Sequence, residues 1–159
     1  MKIEIELENG GIITAELYPE IAPKTVDNFI GLIEDNFFDG LIFHRVIPGF
    51  MIQGGGYDAD GNHKDAPSIS GEFTSNGFTN NLKHERGVLS MARTMFPNSA
   101  SSQFFIMHDD APHLDGQYAG FGRVIDGMDV VDEIAETPTD YQDKPVDDCI
   151  IKTMRIIEN

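Results

Sequence analysis

The chain is 159 residues long and 40% apolar, and carries 11 Lys and Arg against 27 Asp and Glu, a formal net charge of −16. That length suits one domain spanning 1–159 with a core of its own, and so acidic a surface argues against nucleic acid and anionic membrane as partners. No apolar run approaches the ~18 residues of a membrane-spanning helix, the start MKIEIELENG lacks the apolar stretch of a signal peptide, and the single Cys149 can form no internal disulfide, so a cytoplasmic protein is expected.

In chain order, residues 2 to 8 alternate Ile3, Ile5 and Leu7 with charged neighbours, the pattern of a half-buried strand. Asn9-Gly10-Gly11 is a tight hairpin turn, Ile12 to Tyr18 is the return strand, and Pro19 stops it. Pro23 suits the first turn of a helix, and Val26, Phe29, Ile30 and Ile33 form one apolar stripe, so a helix is predicted from Pro23 to Glu34. Ile42 to Val46 and Phe50 to Gln53 read as strands hinged at Pro48-Gly49. Residues 54 to 84 are rich in Gly, Asp, Asn and Ser and read as an ordered surface excursion. Strand patterns return at Gly87 to Ala92, Gln103 to Met107, Tyr118 to Ile125 and Ile150 to Ile157. Asp126 is placed to cap a second helix whose buried side is Met128, Val131, Ile134 and Ala135. The sum is a mainly β chain with about eight strands and two helices. Eight antiparallel strands can close into a barrel that their own side chains fill.

Familiar chemical motifs fail one by one. Asp58 to Asn62 hints at a calcium loop, but the sixth and twelfth positions are His63 and Ile69 rather than Gly and Glu. His84-Glu85 lacks the second histidine of HExxH, where Val88 stands instead. Five scattered histidines and one cysteine offer no zinc-ligand spacing, so no metal is expected. Gly54-Gly55-Gly56 is followed by no GK[ST] and reads as backbone freedom at a strand end. There is no GxSxG elbow.

What needs explaining is Phe43 to Gly55, FHRVIPGFMIQGG, which puts Arg45 among large apolar side chains with the amide of Gln53 close by. Taken with GVLSMA, SSQFFI and HLDGQYAGFGRV, in that order, the stretch resembles the cyclophilins, the peptidyl-prolyl cis-trans isomerases. The resemblance runs from the first hairpin to the last strand. It implies a closed eight-stranded antiparallel β-barrel capped by two α-helices, no cofactor and a monomer. Its partners would be X-Pro peptides and unfolded or flexible protein segments, whose folding it would assist. The family's catalytic arginine falls on Arg45, and the amide that positions it on Gln53. Phe50 and Met51 match one wall of the proline pocket, Phe105 its floor and Leu114 another wall. Ala92 and Arg93 fall where the family binds the peptide backbone before proline, and Gln103 matches a further polar contact.

Three positions depart from the commonest family pattern. Arg93 replaces an asparagine, at a point where the family uses mostly backbone. His113 stands where many members have tryptophan, and Tyr118 where many have histidine. The resemblance therefore implies that cyclosporin binding is possible but weakened by His113, with the Arg45 chemistry intact. Two other readings remain open from the residues. One is a proline-peptide binding module or chaperone with little turnover, which would have no need of both Arg45 and Gln53. The other is a hollow ligand-binding barrel, against which the bulky Ile42, Phe43, Phe104, Phe105 and Ile106 argue.

Overall fold

The computed structural model describes residues 1–158. Eight strands are present: β1 (Lys2–Leu7), β2 (Ile12–Leu17), β3 (Leu41–Ile47), β4 (Met51–Asp58), β5 (Val88–Met91), β6 (Phe104–Met107), β7 (Gly120–Asp126) and β8 (Ile151–Glu158). Two α-helices accompany them, α1 (Pro23–Glu34) and α2 (Met128–Ala135), with single 3-10 turns at Thr74–Asn76 and Pro112–Leu114. The strands form one antiparallel sheet in the order β3-β4-β6-β5-β7-β2-β1-β8.

The expected closure into a barrel is not what the pairings show. The sheet curls into a half-barrel whose edge strands, β3 and β8, share no ladder. Ile42 and Ile150 form one isolated bridge, flanked by bonds from Gly40 N–H to Ile151 O (2.8 Å) and Phe43 N–H to Cys149 O (3.0 Å). Beyond that point the edge of β3 is taken by a loop. Val46 N–H donates to Asp143 O at 2.7 Å. That loop is a tight turn in which the Asp140 carboxylate accepts N–H bonds from Gln142 and Lys144, with Thr139 bridged to Pro145.

The core fills the concave side. Alternate residues of β1 and β2 point inward, and α1 lays Val26, Phe29 and Ile33 across them, the stripe its sequence predicts. Phe29 lies 5.0–5.3 Å from the rings of Phe38, Phe104 and Phe121, and Phe43 packs edge-on against Phe104, so the interior is solid rather than hollow. Strand alternation splits β6 between two clusters: Phe104 and Ile106 join the main core, while Phe105 and Met107 face a smaller one with Met51, Val88 and Leu114. Phe105 is therefore not part of the filling that argued against a hollow barrel.

Most strand ends move by one residue from expectation, and three differences have a physical cause or consequence. Asp126 caps nothing: it is the last residue of β7, opposite Thr14, and Gly127 occupies the cap of α2 at φ +90° without a side-chain bond. A Cβ at Gly127 would lie 2.3 Å from Ile12 O, so only glycine passes there. Tyr118 precedes β7 rather than belonging to it. Strand β4 runs through Gly54-Gly55-Gly56 to Asp58 instead of ending at Gln53. At Gly54 a Cβ would stand 2.8 Å from Ile42 O, so the glycines let β4 lie close against its neighbours.

Candidate active site

The β3–β4 hairpin turns at Ile47–Phe50, where Phe50 N–H returns to Ile47 O at 3.0 Å. Pro48 supplies the fixed φ of the first central position and Gly49, at φ +78°, the positive φ of the second, a type II turn. The tight return brings Arg45 opposite Gln53 and puts Phe50 and Met51 beside them. Strand β6 then lies on the far side of β4, with Phe105 opposite Gln53. The Pro112–Leu114 turn brings Leu114 in from a distant part of the chain.

The result is a cavity of about 190 Å³ that gathers nine of the eleven residues singled out from the sequence: Arg45, Phe50, Met51, Gln53, Ala92, Arg93, Phe105, Leu114 and Tyr118. Met51, Phe105 and Leu114 are almost wholly buried and form its apolar base, whereas Arg45 is exposed at its mouth. The other two stand beside it. Gln103 lines an adjoining hollow that shares Gln53, Ala92 and Arg93 with the cavity. His113 is exposed, its ring 5.9 Å from that of Phe50, so it backs the wall rather than lining the space.

Three side chains form a polar relay. Arg45 Nη1 donates to Gln53 Oε1 at 3.4 Å, a long bond, and Gln53 Nε2 donates to Gln103 Oε1 at 3.0 Å. The direction is forced, because a guanidinium has only donors and so turns the Gln53 oxygen toward itself. Gln103 in turn lies across Gly56. A Cβ there would sit 2.5 Å from Gln103 Cγ and Nε2. The glycine run read as strand-end freedom therefore clears room for the relay. The only sequence signal for this was an amide on an apolar strand, which needs a partner.

Arg93 is fixed in another way. Its guanidinium lies 4.6 Å from the ring centroids of both Phe73 and Tyr118 and donates to the carbonyls of Thr94 and Gln117. The ring contacts are cation–π interactions that hold Tyr118 at the rim. Beneath the base, buried His84 links Ser90 Oγ (2.8 Å) to Asp115 Oδ1 (3.2 Å) and stacks on Phe105 at 6.0 Å. Burial pulls its pKa below the usual imidazole value, with Asp115 opposing. Residues 40–57 and 86–108, which supply the strand walls, contain no Asp or Glu although the chain has 27. The partner of Arg45 is accordingly an amide, not a carboxylate.

The family model described as cyclophilin type peptidyl-prolyl cis-trans isomerase matches residues 2–156. The chain belongs to the cyclophilin-type peptidyl-prolyl cis-trans isomerases. Its relatives include a peptidyl-prolyl cis-trans isomerase of Acinetobacter baylyi, 48% identical over 136 residues, covering 82% of this chain and 70% of that one. A peptidyl-prolyl cis-trans isomerase-like 3 of Gallus gallus is 43% identical over 94% of this chain and 92% of its own. The crystal structure of a Cryptosporidium parvum cyclophilin, determined in the presence of the dipeptide Ala-Pro, superposes with a TM-score of 0.84 at 33% identity, covering 100% of both chains. The resemblance drawn from FHRVIPGFMIQGG is thus borne out, and the chain is a prolyl isomerase of this type.

Proposed function

We propose that the cavity is the proline pocket and that Arg45 is its catalytic residue. Rotation about a peptide bond costs about 18–20 kcal/mol because C–N resonance is lost midway. For X-Pro the two end states are nearly equal in energy, so only the barrier needs attention. No nucleophile or metal is called for: the site has to bind the twisted amide better than the planar one. In the twisted state the prolyl nitrogen turns pyramidal and regains a lone pair. The guanidinium of Arg45, always charged and planar, donates a hydrogen bond to that nitrogen. Phe50, Met51, Phe105 and Leu114 grip the pyrrolidine ring while the carbonyl side swings.

The observation that supports this reading best is the relay from Arg45 through Gln53 to Gln103 at the mouth of an apolar base. A donor held before the reaction loses little on reorganisation, which is how such groups lower barriers. The backbone at Ala92 and Arg93 takes the chain before proline. Clients are X-Pro peptides and flexible or unfolded segments, so the protein assists folding as a cytoplasmic monomer, with residues 1–159 acting as one isomerase domain. The neighbour crystallised in the presence of Ala-Pro is in keeping with that partner class.

The test is exchange of an X-Pro peptide, followed by NMR or by a protease-coupled assay, for wild type and Arg45→Ala. Arg45→Ala is expected to lose about 10²- to 10³-fold in kcat/KM, the range for removing one preorganised donor. Equal exchange by both proteins overturns the mechanism. A wild type that binds the peptide without turnover supports a binding module instead. His113 also weakens cyclosporin, so His113→Trp is expected to tighten a cyclosporin titration, and an unchanged affinity removes His113 from that role.

A further inference from the structure

A type II turn leaves one N–H pointing away from its own bond, that of the second central residue. In the Ile47–Phe50 turn this is Gly49 N–H, and Pro48 has none to offer. The Gly49 N–H has a partner although the turn itself is exposed. It donates to His108 Nδ1 at 2.8 Å. His108 follows the end of β6, and its own backbone N–H donates to Phe50 O at 2.9 Å, so one residue holds the turn twice. Its other ring nitrogen, Nε2, lies 3.1 Å from Asp132 Oδ1 on α2. Asp132 is held in place by both terminal nitrogens of Arg86, each at 2.8 Å, and Arg86 also donates to His108 O.

These bonds determine the tautomer. Nδ1 accepts from Gly49, so it must carry a lone pair, and the ring proton sits on Nε2 and donates to Asp132. We propose that His108 is a positioning residue that fixes the Phe50 wall of the pocket by tying the Pro48-Gly49 turn to α2. Phe50 is the last residue of that turn and lines the cavity. The tie exists only in the neutral ring: a proton on Nδ1 meets the Gly49 N–H head-on, so protonation and the Gly49 bond exclude one another. The turn presents no charge to the ring. Asp132 faces it from α2, Arg86 bridges Asp132 to the His108 carbonyl, and Asp109 and Asp110 follow in the chain, with Asp110 accepting the Arg86 N–H. The inference rests on the reading of the cavity as the proline pocket.

The test uses the full chain labelled with ¹⁵N. The Gly49 amide is expected to exchange slowly with solvent, and its resonance to move with the His108 ring as pH is varied. His108→Leu, which removes both ring bonds, is expected to raise KM for an X-Pro peptide about 3- to 10-fold with little change in kcat, the scale of one hydrogen bond. His108→Asn places an oxygen near the former Nδ1 and should restore KM to within about 2-fold of wild type. A Gly49 amide that exchanges freely and ignores the ring's titration overturns the proposal, and so does a His108→Leu enzyme with wild-type KM. Should His108→Leu fail to fold, the Gly49 resonance in the wild type still decides. A wild type without turnover defeats the pocket reading instead, and leaves the Gly49 bond to stand or fall on its own resonance.

Discussion

Gly56→Ala tests the relay without touching a residue that lines the cavity. The added Cβ would lie 2.5 Å from Gln103 Cγ and Nε2 and 2.6 Å from its Cδ. Carbon–carbon contacts settle near 3.5 to 4.0 Å, so the Gln103 side chain has to move by about 1 Å. It can do so, because the clash is with a side chain and not with backbone. The fold should lose little, about 1 kcal/mol, since overpacking costs least where the neighbour can swing away. The 3.0 Å bond from Gln53 to Gln103 cannot survive such a shift. Gln53 is then free to rotate, and its oxygen no longer waits for the guanidinium at 3.4 Å. Losing one such bond is worth about 1 to 2 kcal/mol, which is about 5- to 30-fold in kcat/KM. Gln103→Ala should cost the same, and the double variant no more than either single one, because both act through one bond. Activity on an X-Pro peptide and thermal unfolding would be measured on all three. Full activity in Gly56→Ala, or additive losses in the double variant, would refute the relay.

Two further outcomes follow from partly buried titratable groups. Burial, and then the charge of Arg45, lowers His44 to about 4, and its Nδ1 is buried without a partner. The unfolded chain takes that proton near pH 6.5, so stability is complete above there and falls as pH drops toward 4, by about 2 to 3 kcal/mol. Burial shifts His84 in the same direction. His44→Phe, which can keep the ring contact with Tyr57 at 4.7 Å, should flatten this part of the curve in denaturant melts at stepped pH. A slope that His44→Phe leaves unaltered removes His44 as its source. The Cys149 thiol is pushed up by burial and then by Asp148 and Asp147, so it should react slowly with a disulfide reagent at pH 8 and readily once unfolded. Equal rates in the two states would show that the folded chain does not shield it.

The parts legible from sequence were those governed by near neighbours. Val26, Phe29, Ile30 and Ile33 place helix α1, Pro23 starts it, and the alternation of Ile3, Ile5 and Leu7 identifies β1. The cavity residues were legible for another reason: a family motif carries long-range geometry with it. Without the motif, nothing about Phe50 says that Leu114 lies across from it. What escaped depends on contacts between distant segments. Glycine weakens an isolated strand, so β4 looked complete at Gln53, yet Gly54 and Gly56 are what allow Ile42 and Gln103 to come so near. Asp126 has the chemistry of a helix cap, but its pairing with Thr14 claims it for β7. Closure of the barrel was misjudged because it depends on distant segments: β3 and β8 meet only at Ile42 and Ile150, and beyond Phe43 the loop around Asp143 lies at the edge of β3.

That loop bears on what the edge of β3 offers to another chain. A strand with free N–H and C=O groups along one side invites any extended chain to add to it. The cavity opens beside β3, the strand that carries Arg45. By giving the Asp143 carbonyl to Val46 N–H, the Asp140–Lys144 turn occupies that position of the edge itself. One N–H that an added strand would need is thereby already spent.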